Sequence, residues 1–446
     1  MAATKEGKVT YNIYRALTYG VSPVLDLHLR FRRLRGREHP HRWTERLGRP
    51  SLPRPVGPLL WFHAVSLGEG MSVIPIIKHC IYQRPDLNVL MTTATVSAFE
   101  VIYKQLPNGV IYQFAPLDAP TAVGAFLDHW KPNAIIIIES ELWPNLIMSA
   151  SKNNIVLALL NARISAKAFK YFSGSVLLPL ISLMLSKFSL IVPLSTVQAI
   201  HFQLLQAPPC IINFGGDLKY VVEDFDVSEE ELRSIEDLKL QLAHRQVWMA
   251  SSIHRGEEEM MLGVHTVLTE MHPDMLTILV PRDPRHGREI AQELQKEGQN
   301  VALRSQHEKL VAGTTIYIVD TLGELRYLYG LTPIAVVGGS FFPGTAGHNI
   351  SEAAAAGCAV LTVELCHHVG HFSHMVLEMQ RLNPLSVLQV SGKVELEKVL
   401  KELFSDAEVL ESRRMAANQA NDSLSRGVVA NVWNLLNSHV FKRALC

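Results

Sequence analysis

The strongest constraint on this chain is an alternation between short apolar runs and longer stretches with helical periodicity. The first series of runs falls at 59–65, 89–93, 110–114, 134–138, 155–160 and 190–194. Several are apolar throughout rather than at every second residue. That is the pattern of strands buried on both faces of a parallel sheet, with a helix after each strand. A second series resumes at 247–251, 277–280, 301–304, 315–319, 334–337 and 360–363. Two sets of βαβ units therefore predict an α/β protein with two Rossmann-like domains. The segment 176–193 is the longest apolar stretch, but Pro179 and Lys187 interrupt it. It predicts a buried helix followed by a buried strand, short of the ~20 apolar residues of a membrane span.

The length of 446 residues suits two domains. The expected division is a basic amphipathic N-terminal segment at 1–50, a first domain at 51–225 and a second at 226–446. The acidic stretch 223–231 reads as the linker, and helices from about residue 406 are candidates to return to the first domain. Net charge is zero, so no global field favours nucleic acid, and no nucleic-acid partner is expected. The five cysteines, at 80, 210, 358, 366 and 446, include no CxxC pair, which argues against a disulfide framework or a cysteine-rich zinc site.

Residues 11–46 mix apolar side chains with Arg30, Arg32, Arg33, Arg35, Arg37, Arg42 and Arg46, opposed locally by Glu38 and Glu45. Tyr14, Leu17, Val21, Val24, Leu25 and Leu29 can share one helix face, with Pro23 breaking the pattern. Such a segment suits a lipid interface, an organelle-targeting signal, or a solvated helix packed on the domain.

In open parallel sheets ligands sit beyond the carboxyl ends of the strands, so polar residues there are the site candidates. Ser66-Leu67-Gly68-Glu69-Gly70 follows the first run. Glu69 reads as a general base near a helix N-terminus or as a helix-capping carboxylate. Glu139-Ser140-Glu141-Leu142-Trp143-Pro144-Asn145 follows the fourth run. It offers two carboxylates for hydroxyl groups and a Trp that can stack on a sugar. In the second half, Val337-Gly338-Gly339-Ser340 and Gly347-His348-Asn349-Ile350-Ser351-Glu352 free backbone N–H groups for an anion, and Glu352 can reach ribose hydroxyls. Arg282, after Pro281, is a candidate for a phosphate or carboxylate, and Lys219 lies just before the linker. The histidines 367, 368, 371 and 374 lack the carboxylates of a metal signature, so no metal is expected there.

Together these segments resemble the Kdo transferase family, inverting glycosyltransferases that attach 3-deoxy-D-manno-octulosonic acid (Kdo) to lipid A precursors. The resemblance runs from about Tyr14 to about residue 430. It rests on the joint order of Trp43-Thr44-Glu45-Arg46-Leu47-Gly48, His63-Ala64-Val65-Ser66-Leu67-Gly68-Glu69, Ala115-Pro116-Leu117-Asp118, Glu139 to Asn145, Asn161-Ala162-Arg163-Ile164-Ser165, Gly216-Asp217-Leu218-Lys219, Gly323-Glu324-Leu325, Val337 to Ser340, and Gly347-His348-Asn349. It implies a GT-B fold, with the two Rossmann-like domains facing across a cleft, the first taking the acceptor and the second the CMP-sugar. It implies Glu69 as general base, with Glu139 and Lys219 supporting the transition state. It implies that Pro281, Arg282, Leu322, Gly323, Glu324, Asn349, Ile350, Ser351 and Glu352 line the nucleotide. The implied donor is CMP-Kdo, the acceptor a lipid A-type glycolipid at a membrane surface, and no cofactor or metal is implied. Ile253, Asp283, Ala346 and His371 depart from the bacterial pattern. The divergence points to a plant-type, membrane-associated member in the mitochondrion, with the inner face of a bacterial-type cytoplasmic membrane as the alternative. The competing readings are a GT-B transferase with another donor or acceptor, and a non-catalytic nucleotide- or lipid-binding homologue.

Overall fold

The computed structural model describes residues 2–222, 229–342, 347–364 and 371–445. The chain divides into two compact units, Met1–Glu223 with Gly427–Cys446, and Asp224–Arg426. Most of the acidic stretch, at 223–228, lies outside the described residues, as do Ala346, His367 and His368.

The first unit is built on six parallel strands: β1 (Leu59–His63), β2 (Asn88–Thr93), β3 (Ile111–Phe114), β4 (Ala134–Ile138), β5 (Val156–Ala162) and β6 (Phe188–Pro193). Their order is β3-β2-β1-β4-β5-β6. Successive strand residues point to opposite faces. Leu59 and Trp61 thus enter one apolar cluster, while Leu60 and Phe62 enter the other. Both faces are covered, which is why the runs are apolar throughout. The 176–193 stretch forms the expected helix, Leu178–Leu185, and then β6.

The second unit carries seven parallel strands: β7 (Val247–Ile253), β8 (Leu276–Pro281), β9 (Val301–Leu303), β10 (Ile316–Ile318), β11 (Ile334–Val337), β12 (Ala359–Val363) and β13 (Val387–Val390). Their order is β13-β12-β11-β7-β8-β10-β9. Sequence reasoning passes over β13. It is an edge strand whose middle residues, Leu388 and Gln389, are only half-buried, so it lacks a continuous apolar run.

Near the C-terminus, the helix Ala407–Ser425 stays with the second unit. The return to the first unit begins at Gly427, not near 406. Val428, Val432, Leu436, Val440 and Phe441 then complete the cluster beside Leu60 and Phe62.

The N-terminal segment differs most from its expectation. Residues Ala2–Leu34 form one helix, α1, which runs through Pro23. The proline forfeits one backbone hydrogen bond, but it lies on an exposed face where water can reach the freed carbonyl. The apolar residues also do not share one face. Tyr14, Leu25 and Leu29 turn towards the unit, whereas Leu17, Val21 and Val24 are exposed. The arginines divide as well. Arg32 Nε donates to Glu38 at 2.6 Å, Arg42 Nε to Glu45 at 2.7 Å, and Arg46 Nη1 to the Ala115 carbonyl at 2.6 Å. Among the described residues no helix is long and apolar enough to cross a membrane.

Candidate active site

In the first sheet the order reverses between β1 and β4, and a crevice outside the carboxyl ends opens at such a reversal. Glu69 follows β1 and Glu139 follows β4, so the chain places both proposed catalytic carboxylates at this point.

Glu69 sits in the first turn of helix α2 (Leu67–Gln83) and completes a capping box with Ser66. The Ser66 hydroxyl accepts from the Glu69 N–H at 3.3 Å, and Glu69 Oε2 accepts from the Val65 and Ser66 N–H groups at 2.8 and 3.4 Å. The capping role is therefore real. It engages Oε2 alone, and Oε1 accepts no hydrogen bond from a described residue. The cap holds the carboxylate in a fixed place and leaves one oxygen for a proton.

Glu139 is 2% exposed and adopts φ 61°, a left-handed conformation that strains an L residue. Its neighbours hold it there. Its N–H donates to the Leu160 carbonyl at 2.9 Å, Arg163 Nε donates to Oε2 at 2.6 Å, and Lys219 Nζ donates to Oε1. Lys219 is positioned by Asp217, whose Oδ1 accepts the Lys219 N–H at 2.9 Å and the Asn161 amide at 2.7 Å. Asn161 Oδ1 in turn accepts the Leu218 N–H at 3.1 Å. The ends of β4 and β5 are thereby tied to the turn Leu218–Tyr220 through one largely buried polar network.

Sequence reasoning passes over Asn161, Arg163 and Asp217 as individual residues, although Asn161 and Arg163 carry the same signal as Glu139, polar groups at the carboxyl end of an apolar strand; Asp217 caps a turn far along the chain from any strand and carries no such signal. It also leaves Glu141 outside the catalytic set. Trp143 Nε1 donates to Glu141 Oε2 at 2.6 Å. Burial pushes the Glu141 carboxyl up to about 7, against the Trp143 hydrogen bond and with help from the charges of Glu69 and Glu139. That mutual influence places the three carboxylates in one electrostatic neighbourhood. Trp143 itself is 43% exposed, available to stack on a ligand.

Asp118 anchors this loop. It accepts the Asn145 and Leu146 N–H groups at 3.0 and 2.9 Å, at the start of the helix Pro144–Lys152, and the Tyr14 hydroxyl of α1 at 2.9 Å. Burial raises the Asp118 carboxyl above its usual range despite these donors.

In the second sheet the order reverses between β7 and β11. Loops after β11, β7, β8 and β10 follow one another along its carboxyl edge, and they carry the expected nucleotide residues. Pro281 ends β8 buried, and Arg282 is exposed beside it, its N–H donating to the Ile253 carbonyl at 2.9 Å. Leu322 is 39% exposed and Gly323 has φ 90°, which suits glycine. Glu324 accepts Arg304 Nη2 at 2.7 Å and Nε at 3.2 Å, and Thr321 Oγ1 at 2.5 Å. Burial acts to raise its carboxyl, but Arg304 and Thr321 outweigh it and hold Glu324 below the usual range. Asn349 Oδ1 accepts the Ser351 N–H at 3.0 Å and hydroxyl at 2.6 Å, opening the short helix Ser351–Ala355. Ile350 is buried. Glu352 is raised above the usual range by burial, which the Arg326 charge partly opposes. His371 and His374 lie in the helix His371–Leu382, and no group of three or more metal-ligating side chains occurs among the described residues.

The sequence model of the 3-deoxy-D-manno-octulosonic-acid transferase (Kdo transferase) family matches residues 41–222. The chain is 62% identical over 439 residues to the "Probable 3-deoxy-D-manno-octulosonic acid transferase, mitochondrial" of Arabidopsis thaliana, covering 98% of both chains. It is 31% identical over 397 residues to the 3-deoxy-D-manno-octulosonic acid transferase of Haemophilus influenzae, covering 88% of this chain and 89% of that one. Among solved structures, the UDP-GlcNAc 2-epimerase of Neisseria meningitidis superposes with a TM-score of 0.52 at 13% identity, over 86% of this chain and 100% of that one. That likeness speaks to the shared two-domain fold alone. With near-complete coverage at 62% identity, and with two parallel α/β sheets of GT-B type, the chain belongs to the Kdo transferase family of glycosyltransferases.

Proposed function

We propose that this transferase moves Kdo from CMP-Kdo to a primary hydroxyl of a lipid A-type glucosamine acceptor, with inversion and release of CMP. The observation that carries the reading is the placement of Glu69 and Glu139 at the β1/β4 reversal, with Lys219 on Glu139. Glu69, held by its cap through Oε2, takes the hydroxyl proton on Oε1. The acceptor oxygen attacks the anomeric carbon as CMP departs from the opposite face. Positive charge spreads over the sugar ring in an oxocarbenium-like transition state, as in glycoside cleavage. Glu139 and Lys219, fixed by Arg163 and Asp217, support that charge distribution in a site with little freedom to reorganise.

The second unit takes CMP. Arg282 meets the phosphate, while Pro281, Leu322, Gly323, Asn349, Ile350 and Ser351 shape the pocket and Glu324 and Glu352 take hydroxyl groups. A single phosphate ester leaves without the charge that calls for a divalent cation, so no metal enters the reading.

Membrane contact is assigned to α1. Val9, Ile13, Leu17, Val21, Val24, Leu27, Phe31 and Leu34 are each 46–85% exposed and recur every three or four residues, forming one apolar stripe. Lys5, Lys8, Arg15, Arg33 and Arg35 are exposed on the same helix or just after it, as contact with anionic headgroups requires. The mitochondrial designation of the Arabidopsis relative supports the same compartment here.

The donor is tested by incubating the purified chain with a tetraacylated lipid A precursor and, in parallel, CMP-Kdo made in situ, a UDP-hexose or a GDP-hexose. The expected result is a glycolipid product of inverted anomeric configuration with CMP-Kdo alone. Product from a UDP- or GDP-sugar but not from CMP-Kdo would overturn the reading.

A further inference from the structure

At the β7/β11 reversal of the second sheet two imidazoles meet. His254 follows β7 and His348 precedes the helix Ser351–Ala355. Their Nε2 atoms are 2.8 Å apart, with the rings within 14° of parallel and their centroids 5.0 Å apart. The loop after β7 and the start of the segment after β11 are held by Glu257, which is fully buried. Its carboxylate accepts the N–H groups of His254 at 2.9 Å, Gly339 at 2.8 Å and Phe341 at 3.0 Å. Gly339 has φ 74°, and a Cβ there would fall 2.4 Å from His348 Cδ2, so the ring lies flush against a backbone kept bare for it. This arrangement is built, and neither histidine belongs to the nucleotide set described above.

The pair has a forced proton arrangement. Burial, the Arg282 charge and His254 push His348 down to about 3, so that ring is neutral at physiological pH. An Nε2–Nε2 hydrogen bond needs one donor and one acceptor. The accepting ring must then carry its proton on Nδ1. No described residue accepts from Nδ1 of either ring, so the pair presents at least one N–H donor that lacks a protein partner. Arg282, the cation whose charge reaches His348, stands beside it at the end of β8. An imidazole N–H donor near a guanidinium, at the ligand-binding edge of a sheet, fits an anionic oxygen.

We infer that His254 and His348 form a paired imidazole subsite that donates a hydrogen bond to the phosphate of the bound nucleotide, beside Arg282. This rests on the CMP reading above. The pair complements Arg282: the guanidinium supplies charge, and the imidazole N–H supplies direction.

Calorimetry with CMP, and displacement of CMP by cytidine, separates a phosphate contact from general damage. The variants are His348→Ala, His254→Ala and His348→Gln, the last keeping bulk against Gly339 if the alanine variants do not fold. A lost hydrogen bond to a charged group corresponds to roughly tenfold or more in affinity. CMP binding is expected to weaken by that factor while cytidine binding stays within about twofold. Unchanged CMP binding, or equal weakening of CMP and cytidine, would overturn the subsite while leaving the donor reading in place. A wild type that binds neither ligand would overturn the CMP reading, and the subsite with it.

Discussion

Glu139 shows how much of the site depends on single residues. Its left-handed backbone is costly, of order 1–3 kcal/mol, and such strain persists where surrounding contacts over-determine it. Arg163, Lys219 and the Leu160 carbonyl supply those contacts. The sequence shows the carboxylate after an apolar strand. It does not show the torsion, or that Arg163 and Lys219 both close on this carboxylate, because those contacts are made by segments 24 and 80 residues further along the chain. Glu141 was legible as a loop carboxylate, but its proton affinity was not, since that depends on burial and on Glu69 and Glu139. The consequence for stability has a definite sign. An acid raised from 4.5 to about 7 gains a proton on folding between those values, so it lowers stability as pH rises through that window. Glu141→Gln removes the effect. The difference in Tm, variant minus wild type, should grow from pH 5 to pH 7 and level off above it. Thermal melts that run parallel across this range would contradict the assignment.

At the scale of elements, α1 joins two roles. Its inner face carries Tyr14 and Thr18, which bond Asp118 and Asn145 at 2.9 and 3.0 Å and so reach the loop of Glu139 and Glu141. Its outer face carries the apolar stripe. The sequence reading merges the two faces, placing Tyr14 and Leu17 together, because a wide amphipathic pattern does not say which side is packed. Pro23 invites a break that the exposed setting makes tolerable. Leu17 is 64% and Val24 62% exposed, so replacing both by Glu should leave the melting curve almost unchanged. Burial of each apolar side chain in lipid is worth about 1.5–3 kcal/mol. Co-sedimentation with anionic vesicles should therefore fall by tenfold or more in Leu17→Glu/Val24→Glu. Retained binding would move the membrane contact away from this stripe.

At the scale of the whole molecule, two parallel sheets were legible from the apolar runs, since strands buried on both faces cannot hide their composition. The twelve runs all fall on strands, and the thirteenth strand escapes because an edge position relaxes the requirement. The return of the chain at Gly427 was legible only as a tendency. Its anchors, Val428, Val432 and Leu436, read as an ordinary amphipathic helix until the first unit's core is seen to include them. The site was legible where strand ends carry acids or bases, and illegible where its order comes from neighbours: the Asp217 bridge, the Glu257 clamp and the histidine pair.

The central claim is that this fold performs Kdo transfer with Glu69 as base. The most direct measurement compares wild type and Glu69→Ala for transfer of Kdo from CMP-Kdo to the tetraacylated lipid A precursor, with folding of both checked by circular dichroism. Product is expected from the wild type, with a loss of about 10²-fold or more in the folded variant. Comparable turnover by a folded Glu69→Ala would remove Glu69 from the chemistry, and no product from a folded wild type that binds CMP would contradict the lipid A assignment.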